Sequence, residues 1–179
     1  METKRWAGKP YNSLNYYFQT VYGEKIYKVA INGGMTCPNR DGVLDTRGCI
    51  FCSKGGSGEF AAPINSDKVD ISSQLEFARK RVEDKIHNGK FIAYFQPYTN
   101  TYATIDYLEK VYTEAISPED VVGLSIATRP DCLSDEVMEL LGKIKEKYPE
   151  KCLWIELGLQ TIHRKTVQYI RRCYETAVF

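Results

Sequence analysis

Three cysteines share one glycine-rich stretch of the sequence and have the spacing that metal chemistry needs. Cys37, Cys49 and Cys52 follow the pattern Cys-x11-Cys-x2-Cys. The Cys-x2-Cys pair lets two thiolates reach one metal centre from a tight turn, and the glycines let backbone amides approach the sulfurs. A structural zinc site needs four ligands, whereas a four-iron cluster held by three cysteines keeps one iron free for a reacting ligand. The stretch therefore predicts a metal centre of one of these two kinds.

The remaining cysteines and the two histidines bear on the zinc alternative. A histidine could complete a zinc site, and the candidates are His87, on a predicted helix, and His163, after the last predicted strand. Cys152 begins a strand and is interpreted as a small core residue, whereas Cys132 and Cys173 are interpreted as single thiols. If the three loop cysteines and one histidine bind zinc, the chain is a zinc-stabilised nucleic-acid-binding module without catalysis.

The composition indicates a globular chain. Of the 179 residues, 43% are hydrophobic and 26% charged, and no apolar run approaches the roughly 18 residues of a membrane span. The N-terminus lacks the apolar segment of a secretory signal, which predicts a cytoplasmic protein with no membrane partner and disfavours a disulfide scaffold. The net charge of +1 hides basic ends, since residues 1–60 hold 8 basic and 5 acidic side chains and residues 160–179 hold 4 and 1.

Predicted strands and helices alternate along the chain. They are interrupted after the first strand by residues 32–60, which we call the cysteine loop. Charge alternation and apolar runs predict strands over 25–31, 91–95, 121–127 and 152–159. Apolar residues at helical spacing predict helices over 71–86, 105–115, 134–144 and 163–172. Buried strands joined by such helices form parallel βα units, so the predicted fold class is α/β.

The carboxyl ends of the predicted strands are polar or rich in glycine, and chemistry in parallel sheets gathers at these ends. The segments concerned are 32–34, 96–100, 128–131 and 160–161. Four parallel strands are few for such a sheet, and the sequence stops at an apolar segment with no cap. We therefore expect the chain to be the first part of a longer protein, and to associate or be marginally stable on its own.

With these motifs the sequence resembles the radical S-adenosylmethionine (SAM) superfamily, and within it the YhcC-like family. The segments that carry the resemblance span nearly the whole chain: 36–42, 48–52, 56–60, 94–102, 127–131 and 156–161. Thr128-Arg-Pro-Asp131 and Glu156-Leu-Gly-Leu-Gln160 also resemble the radical SAM domain of the elongator catalytic subunit. Two departures are the long first cysteine gap and Arg171-Arg-Cys173, which stands where such proteins tend to have Asn-Arg-Gly followed by His or Tyr.

The resemblance implies a partial (β/α) barrel of the radical SAM type, of which residues 1–179 form the N-terminal part with the first four βα units. It implies an enzyme in which Cys37, Cys49 and Cys52 bind a [4Fe-4S] cluster and SAM binds its fourth iron. A reductant such as flavodoxin or ferredoxin supplies an electron, and SAM is cleaved to methionine and a 5′-deoxyadenosyl radical. A third hypothesis is a fragment that binds the cluster without turnover.

Contacts to SAM are implied for eight residues, while the resemblance assigns no catalytic residue. Phe51 matches an aromatic position near the adenine, and Gln96 lies where other members present a Gly-Gly-Glu segment to the SAM amino group. Thr128 is expected to bind the ribose, and Arg129 the methionyl carboxylate, which suits a guanidinium fork. The other candidates are Ser125, Asp131, Glu156 and Gln160. A carboxylate inside an apolar strand, such as Glu156, needs SAM or an arginine as its partner.

The elongator subunit modifies the wobble uridine of tRNA, so the second resemblance implies an RNA base, in tRNA, as the substrate. Arg40, Arg47 or Lys54 in the cysteine loop would then meet phosphates while a single-stranded base is splayed out. A small metabolite or a protein substrate would leave the same sequence, and both alternatives stay open.

Overall fold

The computed structural model describes residues 5–64, 69–85 and 89–179. Its strands are β1 (Tyr27–Ile31), β2 (Phe91–Phe95), β3 (Val121–Thr128) and β4 (Cys152–Leu157). Its α-helices are α1 (Leu14–Tyr22), α2 (Ile71–Lys80), α3 (Ile105–Ile116), α4 (Asp135–Lys147) and α5 (Arg164–Tyr169). Short 3-10 turns cover Glu83–Lys85, Pro130–Cys132 and Thr176–Val178. None of the helices in these ranges is long and apolar enough to cross a membrane.

The four strands form one all-parallel sheet in the order β1-β2-β3-β4, so each strand pairs with its neighbours in sequence. One level of the sheet runs through Ala30, Tyr94, Ser125 and Trp154, which are paired across the three strand boundaries. The predicted α/β class with a parallel sheet is confirmed. Because every strand is followed by a helical connection, all four strands end at the same edge of the sheet.

Helices α2, α3 and α4 pack on one face of the sheet and enclose the main core. Each carries an apolar stripe at helical spacing, for example Leu108, Val111 and Tyr112 on α3, which meets strand residues such as Phe95 and Leu124. Ser134 caps α4 as expected, since its hydroxyl accepts from the Val137 amide. Most residues of the central strands β2 and β3 are buried on both faces of the sheet, which explains their nearly continuous apolar runs.

The opposite face of the sheet, which we call the second face, is covered by α1 near the amino ends of the strands. Phe18 of this helix is 2% exposed and stacks on Trp154 with ring centroids 5.6 Å apart. It also packs with Ile26 and Ile92. The sequence analysis predicted no helix here, although Ser13 caps its start and Gly23 ends it in a left-handed conformation. Between α1 and the carboxyl ends of the strands, the second face is polar.

Several predicted bounds differ from the structure. Helix α2 was expected to reach Ile86 but ends at Lys80, because the chain tightens into i→i+3 hydrogen bonds from Val82 to Arg79 and from Lys85 to Val82. Ile86 itself lies outside the described residues.

Two other elements are also shorter than predicted. Strand β4 stops at Leu157, two residues early, and Gln160 then turns the chain with a φ of 59°. Helix α5 covers Arg164–Tyr169 rather than 163–172, because Arg171 has a φ of 54° and cannot continue a right-handed helix.

Candidate functional site

A pocket of about 390 Å³ opens at the carboxyl edge of the sheet, above its second face. All three loop cysteines line it, together with six of the eight residues expected to contact SAM: Phe51, Gln96, Thr128, Arg129, Glu156 and Gln160. The other two lie behind the pocket wall, each bonded to a lining residue. Ser125 donates from its hydroxyl to Glu156, and Asp131 accepts from the Arg129 guanidinium.

The thiols of Cys49 and Cys52 lie in a polar setting that the loop itself builds. Cys52 is held in a turn by the bond from its amide to the Cys49 carbonyl (3.1 Å). Asn39, which is fully buried, donates from Nδ2 to Cys49 Sγ at 3.3 Å, and Ser57 donates from Oγ to Cys52 Sγ at 3.6 Å. Such donors stabilise sulfur that carries negative charge.

The two thiols also interact with each other, with opposite effects on their pKa values. The contact with the Cys49 thiol, with help from Ser57 and Arg40, lowers the pKa of Cys52 to about 6, although burial opposes this change. The same contact with Cys52, together with burial, raises the pKa of Cys49. Cys52 is therefore readily available as a thiolate, which is the form that binds metal.

Residues 170–174, which we call the C-terminal wall, close the pocket over Cys49. The Ile50 amide donates to the Ile170 carbonyl (3.2 Å), and Arg171 Nε donates to the Gly48 carbonyl (2.9 Å). Asn39 donates to the Arg171 and Arg172 carbonyls. The cysteine loop is thus bonded to a segment more than a hundred residues away in the sequence.

Arg172 and Tyr174 of the C-terminal wall line the pocket. Arg172 is only 1% exposed and donates to the carbonyls of Leu159, Thr161 and Tyr174 and to the Thr176 hydroxyl. Its guanidinium also lies 4.2 Å from the centroid of the Tyr174 ring. The sequence assigns neither residue a contact to SAM, although both belong to the segment that corresponds to Asn-Arg-Gly followed by His or Tyr.

Arg129 has a different partner from the one expected. Its fork binds Asp131, with Nε to Oδ1 at 2.9 Å and Nη2 to Oδ2 at 2.6 Å, and Nη1 donates to the Arg172 carbonyl. Burial opposes the charge, but the ion pair with Asp131 outweighs it and raises the pKa of Arg129. The paired guanidinium still faces the pocket, so a carboxylate ligand would have to share it with Asp131.

Glu156 is the centre of a polar network on the second face, just below the pocket. Lys28 and Ser125 both donate to its Oε1, and the Lys28 ammonium lies 3.9 Å from the centroid of the Tyr94 ring. Burial alone would raise the pKa of Glu156, but these donors hold it below its ordinary value. Burial and the nearby Glu156 carboxylate in turn raise the pKa of Tyr94 to about 12. The partner expected for this carboxylate was SAM or an arginine, and a lysine takes that place.

The segment after β2 is hydrogen-bonded to the cysteine loop. Gln96 donates from Nε2 to the Ser57 carbonyl (3.0 Å), and Tyr98 donates from its hydroxyl to the Lys54 carbonyl (2.7 Å). Gly56 has a φ of +64°, and a Cβ on it would lie 2.5 Å from the Tyr98 ring. A larger residue at position 56 would therefore push the loop away from β2.

The other candidates hold simpler positions. Phe51 is 48% exposed at the mouth of the pocket, and the buried Thr128 shares a 2.6 Å hydrogen bond with the Thr101 hydroxyl. Of the three basic loop residues, Arg40 donates to the carbonyls of Cys52 and Ser53, and Arg47 pairs with Asp45. Lys54 is exposed.

Among the described residues, the other cysteines and His163 do not line this pocket. Cys152 is partly buried and packs beside Phe18 and Trp154, in agreement with a core role. Burial raises the pKa of Cys132 to about 11, and Cys173 is exposed. His163 precedes α5, and His87 lies outside the described residues, so no histidine in the described part of the chain completes a zinc site.

No three Cys, His, Asp or Glu side chains among residues 5–64, 69–85 and 89–179 are placed to hold a metal ion. One zinc ion needs every sulfur at about 2.3 Å from a single point. A four-iron cluster binds each cysteine through a different iron. The chemistry of the donor set fits such a cluster, because three thiols line one open pocket and two of them accept hydrogen bonds from Asn39 and Ser57.

Part of the site could have been found in the sequence. Asn39, Arg40 and Ser57 lie among the cysteines, where donors to sulfur are expected. Tyr94 alternates with core residues on β2 and so faces the other side of the sheet. Arg172 and Tyr174 match two positions of the segment Asn-Arg-Gly followed by His or Tyr, but only the tertiary fold, in which Asn39 binds the Arg171 and Arg172 carbonyls, brings them to the cysteine loop.

No protein-family model matches the sequence. The chain is similar to the uncharacterized protein YtqA of Bacillus subtilis, with 44% identity over 167 residues, which is 93% of this chain and 50% of YtqA. It is 37% identical over 158 residues to protein YhcC of Escherichia coli K12, covering 88% of this chain and 48% of YhcC. It is 33% identical over 163 residues to the uncharacterized protein MJ0486 of Methanocaldococcus jannaschii, covering 90% and 48%. The chain thus spans about half the length of the curated relatives it matches.

Proposed function

We propose that this chain carries the cofactor-binding part of a radical SAM enzyme, in which Cys37, Cys49 and Cys52 hold a [4Fe-4S] cluster. The observation that supports this most is that one pocket collects all three cysteines and six strand-end or loop residues expected to contact SAM. The all-parallel sheet, with α2 to α4 on a single face, supports a partial (β/α) barrel of the radical SAM type.

When bound and reduced, the cluster would pass one electron to the sulfonium of SAM, which breaks into methionine and the 5′-deoxyadenosyl radical that takes a hydrogen atom from the substrate. The chain's own residues have supporting tasks. Asn39 and Ser57 donate to the cysteine sulfurs, and Phe51 shields the mouth of the pocket from water. The Lys28–Glu156 pair gives the pocket a polar floor that orients what lies above it.

Anaerobic reconstitution of this chain tests the proposal. We expect a brown protein with broad absorbance near about 400 nm and about four irons per chain. A colourless protein with stoichiometric zinc would contradict the proposal and support the zinc module. Incubation with SAM and dithionite should then release 5′-deoxyadenosine. A cluster without that product would indicate a fragment that binds the cofactor and has no turnover.

We further propose that the whole enzyme acts on an RNA base in tRNA, with a one-electron reductant of the flavodoxin or ferredoxin class as its partner. The resemblance of the β3 and β4 ends to the elongator subunit supports this. So do the aromatic rings of Phe51, Tyr94 and Tyr98 on the pocket, because splayed bases stack on aromatic side chains. Arg40 is engaged by loop carbonyls and Arg47 is paired with Asp45, which leaves the exposed Lys54 for phosphates.

The comparison of modified nucleosides in total tRNA from cells with and without the full-length gene tests the substrate. We expect one modified nucleoside to disappear in the cells that lack the gene. Identical profiles would remove RNA from consideration and leave a small metabolite or a protein as the substrate, with the radical chemistry unaffected.

A further inference from the structure

The hydroxyl of Tyr174 is a buried polar group with no partner. Tyr174 is 7% exposed and lines the pocket, and among the described residues its oxygen is one of four buried side-chain atoms without a hydrogen bond. The others are Asn39 Oδ1, Arg79 Nε and Asn100 Oδ1. Asn39 Oδ1 and the Tyr174 hydroxyl lie beside the cysteine loop, and of these two only the hydroxyl can donate a hydrogen bond. A buried hydroxyl is rarely left unpaired, so it points to a ligand.

The Tyr174 ring lies between two positive charges. The Arg172 guanidinium is 4.2 Å from its centroid, and that of Arg129 is 5.0 Å away. Arg129 is balanced by Asp131, but in the described part of the chain no carboxylate pairs with Arg172, whose donors all go to neutral oxygens. This side of the pocket therefore carries an uncompensated buried cation, which favours a negatively charged occupant.

Cys49 provides the link to that occupant. In the thiol form, Cys49 Sγ donates to the Arg171 carbonyl at 3.4 Å. As a thiolate it loses that donor function and becomes an acceptor, so it needs donors around it. Asn39 provides one at 3.3 Å. Cys49 and Tyr174 line the same pocket, and the Arg171 carbonyl that contacts Cys49 Sγ belongs to the same C-terminal wall as Tyr174. Among the described residues the Tyr174 hydroxyl has no hydrogen-bond partner, so it is a donor that this side of the pocket can still offer.

We propose that Tyr174 sets the reduction potential of the iron–sulfur cluster by donating a hydrogen bond to its sulfur at Cys49, with Arg172 adding a favourable positive charge. The inference rests on the proposed function. Reduction adds one negative charge to the cluster, and a hydrogen-bond donor or a cation beside the sulfur stabilises the reduced form more than the oxidised form. Tyr174 is thus a positioning and tuning residue rather than a metal ligand.

The test is a redox titration of the reconstituted chain, followed by electron paramagnetic resonance, for the wild type and Tyr174→Phe. We expect Tyr174→Phe to keep its iron and to show about a tenfold lower ratio of reduced to oxidised cluster at a fixed potential, equivalent to a midpoint about 59 mV more negative. Tyr169→Phe is the matched control, because Tyr169 is 74% exposed, and its midpoint should equal that of the wild type.

Tyr174→His serves as the conservative variant, since an imidazole can also donate. It should keep the wild-type iron content and a midpoint closer to the wild type than that of Tyr174→Phe. If Tyr174→Phe loses iron, the Tyr174→His variant decides. Wild-type iron content and a near wild-type midpoint in Tyr174→His support the proposal, and a deficit in one or both of them overturns it. An unchanged midpoint in Tyr174→Phe overturns this inference alone. Absence of a cluster in the wild type overturns the proposed function, and this inference with it.

Discussion

At the scale of single residues, the surroundings of the cysteines separate them into two kinds. Cys49 and Cys52 accept hydrogen bonds from Asn39 and Ser57 beside an open pocket. Cys132 does not line that pocket, and its burial, against a smaller opposing contribution from Arg129, raises the pKa of its thiol to about 11. Donors to sulfur favour metal-bound thiolate, whereas burial alone favours the inert thiol.

This difference predicts the outcome of single replacements. Cys49→Ala should lose most of the iron after anaerobic reconstitution, because one of three ligands is gone. Cys132→Ala is the matched control and should keep the wild-type iron content. Iron per chain measures both. Loss of iron in Cys132→Ala with retention in Cys49→Ala would contradict the ligand assignment.

The pairing of Glu156 predicts a dependence of stability on pH. Its pKa is held below the ordinary 4.5 by Lys28 and Ser125, against the effect of burial. A carboxyl group whose folded pKa is lowered contributes stability above its unfolded pKa, and this contribution disappears as the pH falls through the folded value. The difference in unfolding free energy between the wild type and Glu156→Gln should therefore be larger at about pH 7 than at about pH 3.

Chemical denaturation at both pH values measures this difference. The side chain of Glu156 is 41% exposed, so solvent screening keeps the effect small. Glu76→Gln is the control, because Glu76 pairs with Lys80 at the surface of α2 with 66% of its side chain exposed. A difference that grows as the pH is lowered would contradict the role given to the Lys28–Glu156 pair.

Cys173 has a backbone conformation that suits glycine, with a φ of 63°. The family that the sequence resembles tends to have Gly at this position and Asn at position 171, which also has a positive φ in this chain. Cys173→Gly should therefore raise the free energy of unfolding by about 1 kcal/mol, since relief of strain exceeds the entropy cost of glycine. Cys173→Ala keeps the Cβ and should stay within about 0.5 kcal/mol of the wild type in the same denaturation experiment. Cys173 Sγ also donates to the Arg171 carbonyl at 3.3 Å. A lower free energy of unfolding for Cys173→Gly would show that this contact stabilises the fold more than the strained backbone destabilises it.

At the scale of secondary-structure elements, the strands and the helices α3 and α4 could be predicted because their apolar spacing reflects burial on one side or on both. Helix ends were less predictable, since they depend on single residues such as Arg171, whose positive φ comes from tertiary contacts. Helix α1 had the expected signals, Ser13 before it and Gly23 after it, but its face is built from aromatic residues rather than from aliphatic ones. Its position on the second face could not be read from the sequence, because no local pattern states which side of a sheet a helix covers.

Helix α1 should stabilise the sheet through its aromatic contact with Trp154. Phe18→Ala removes a ring that is 2% exposed, so we expect the free energy of unfolding to fall by about 3 kcal/mol. Val21→Ala on the same helix is 52% exposed in the wild type and should change it by less than about 0.5 kcal/mol. Equal effects of the two replacements in urea denaturation would contradict the docking of α1 on the sheet.

At the scale of the whole molecule, the candidate site joins regions that are far apart in the sequence. The sequence could predict that strand ends and the cysteine loop meet, since parallel strands end at one edge. It could not predict that the C-terminal wall closes over Cys49, because Arg171 and Arg172 contact the loop through backbone carbonyls, which carry no side-chain signature.

This closure predicts a coupled response to cofactor binding. Anaerobic reconstitution should slow amide hydrogen exchange in the cysteine loop and the C-terminal wall together, because a ligand that binds the folded site stabilises both partners of their shared hydrogen bonds. Helix α4, which packs on the opposite face of the sheet, is the internal control and should be unaffected. Protection of the loop without the wall would contradict the coupling.

The contact between the cysteine loop and the C-terminal wall also sets an order of events during protein synthesis. Cys49 leaves the ribosome about a hundred residues before Arg171, whose carbonyl it contacts at a separation of 122 positions. Until residues 170–174 have emerged, the nascent chain has the ligands but one side of their enclosure is missing. If the proposed cluster binds here, its stable loading should follow translation of this segment. A ribosome-stalled chain that ends before residue 170 should then hold iron weakly, although every proposed cysteine ligand is already present.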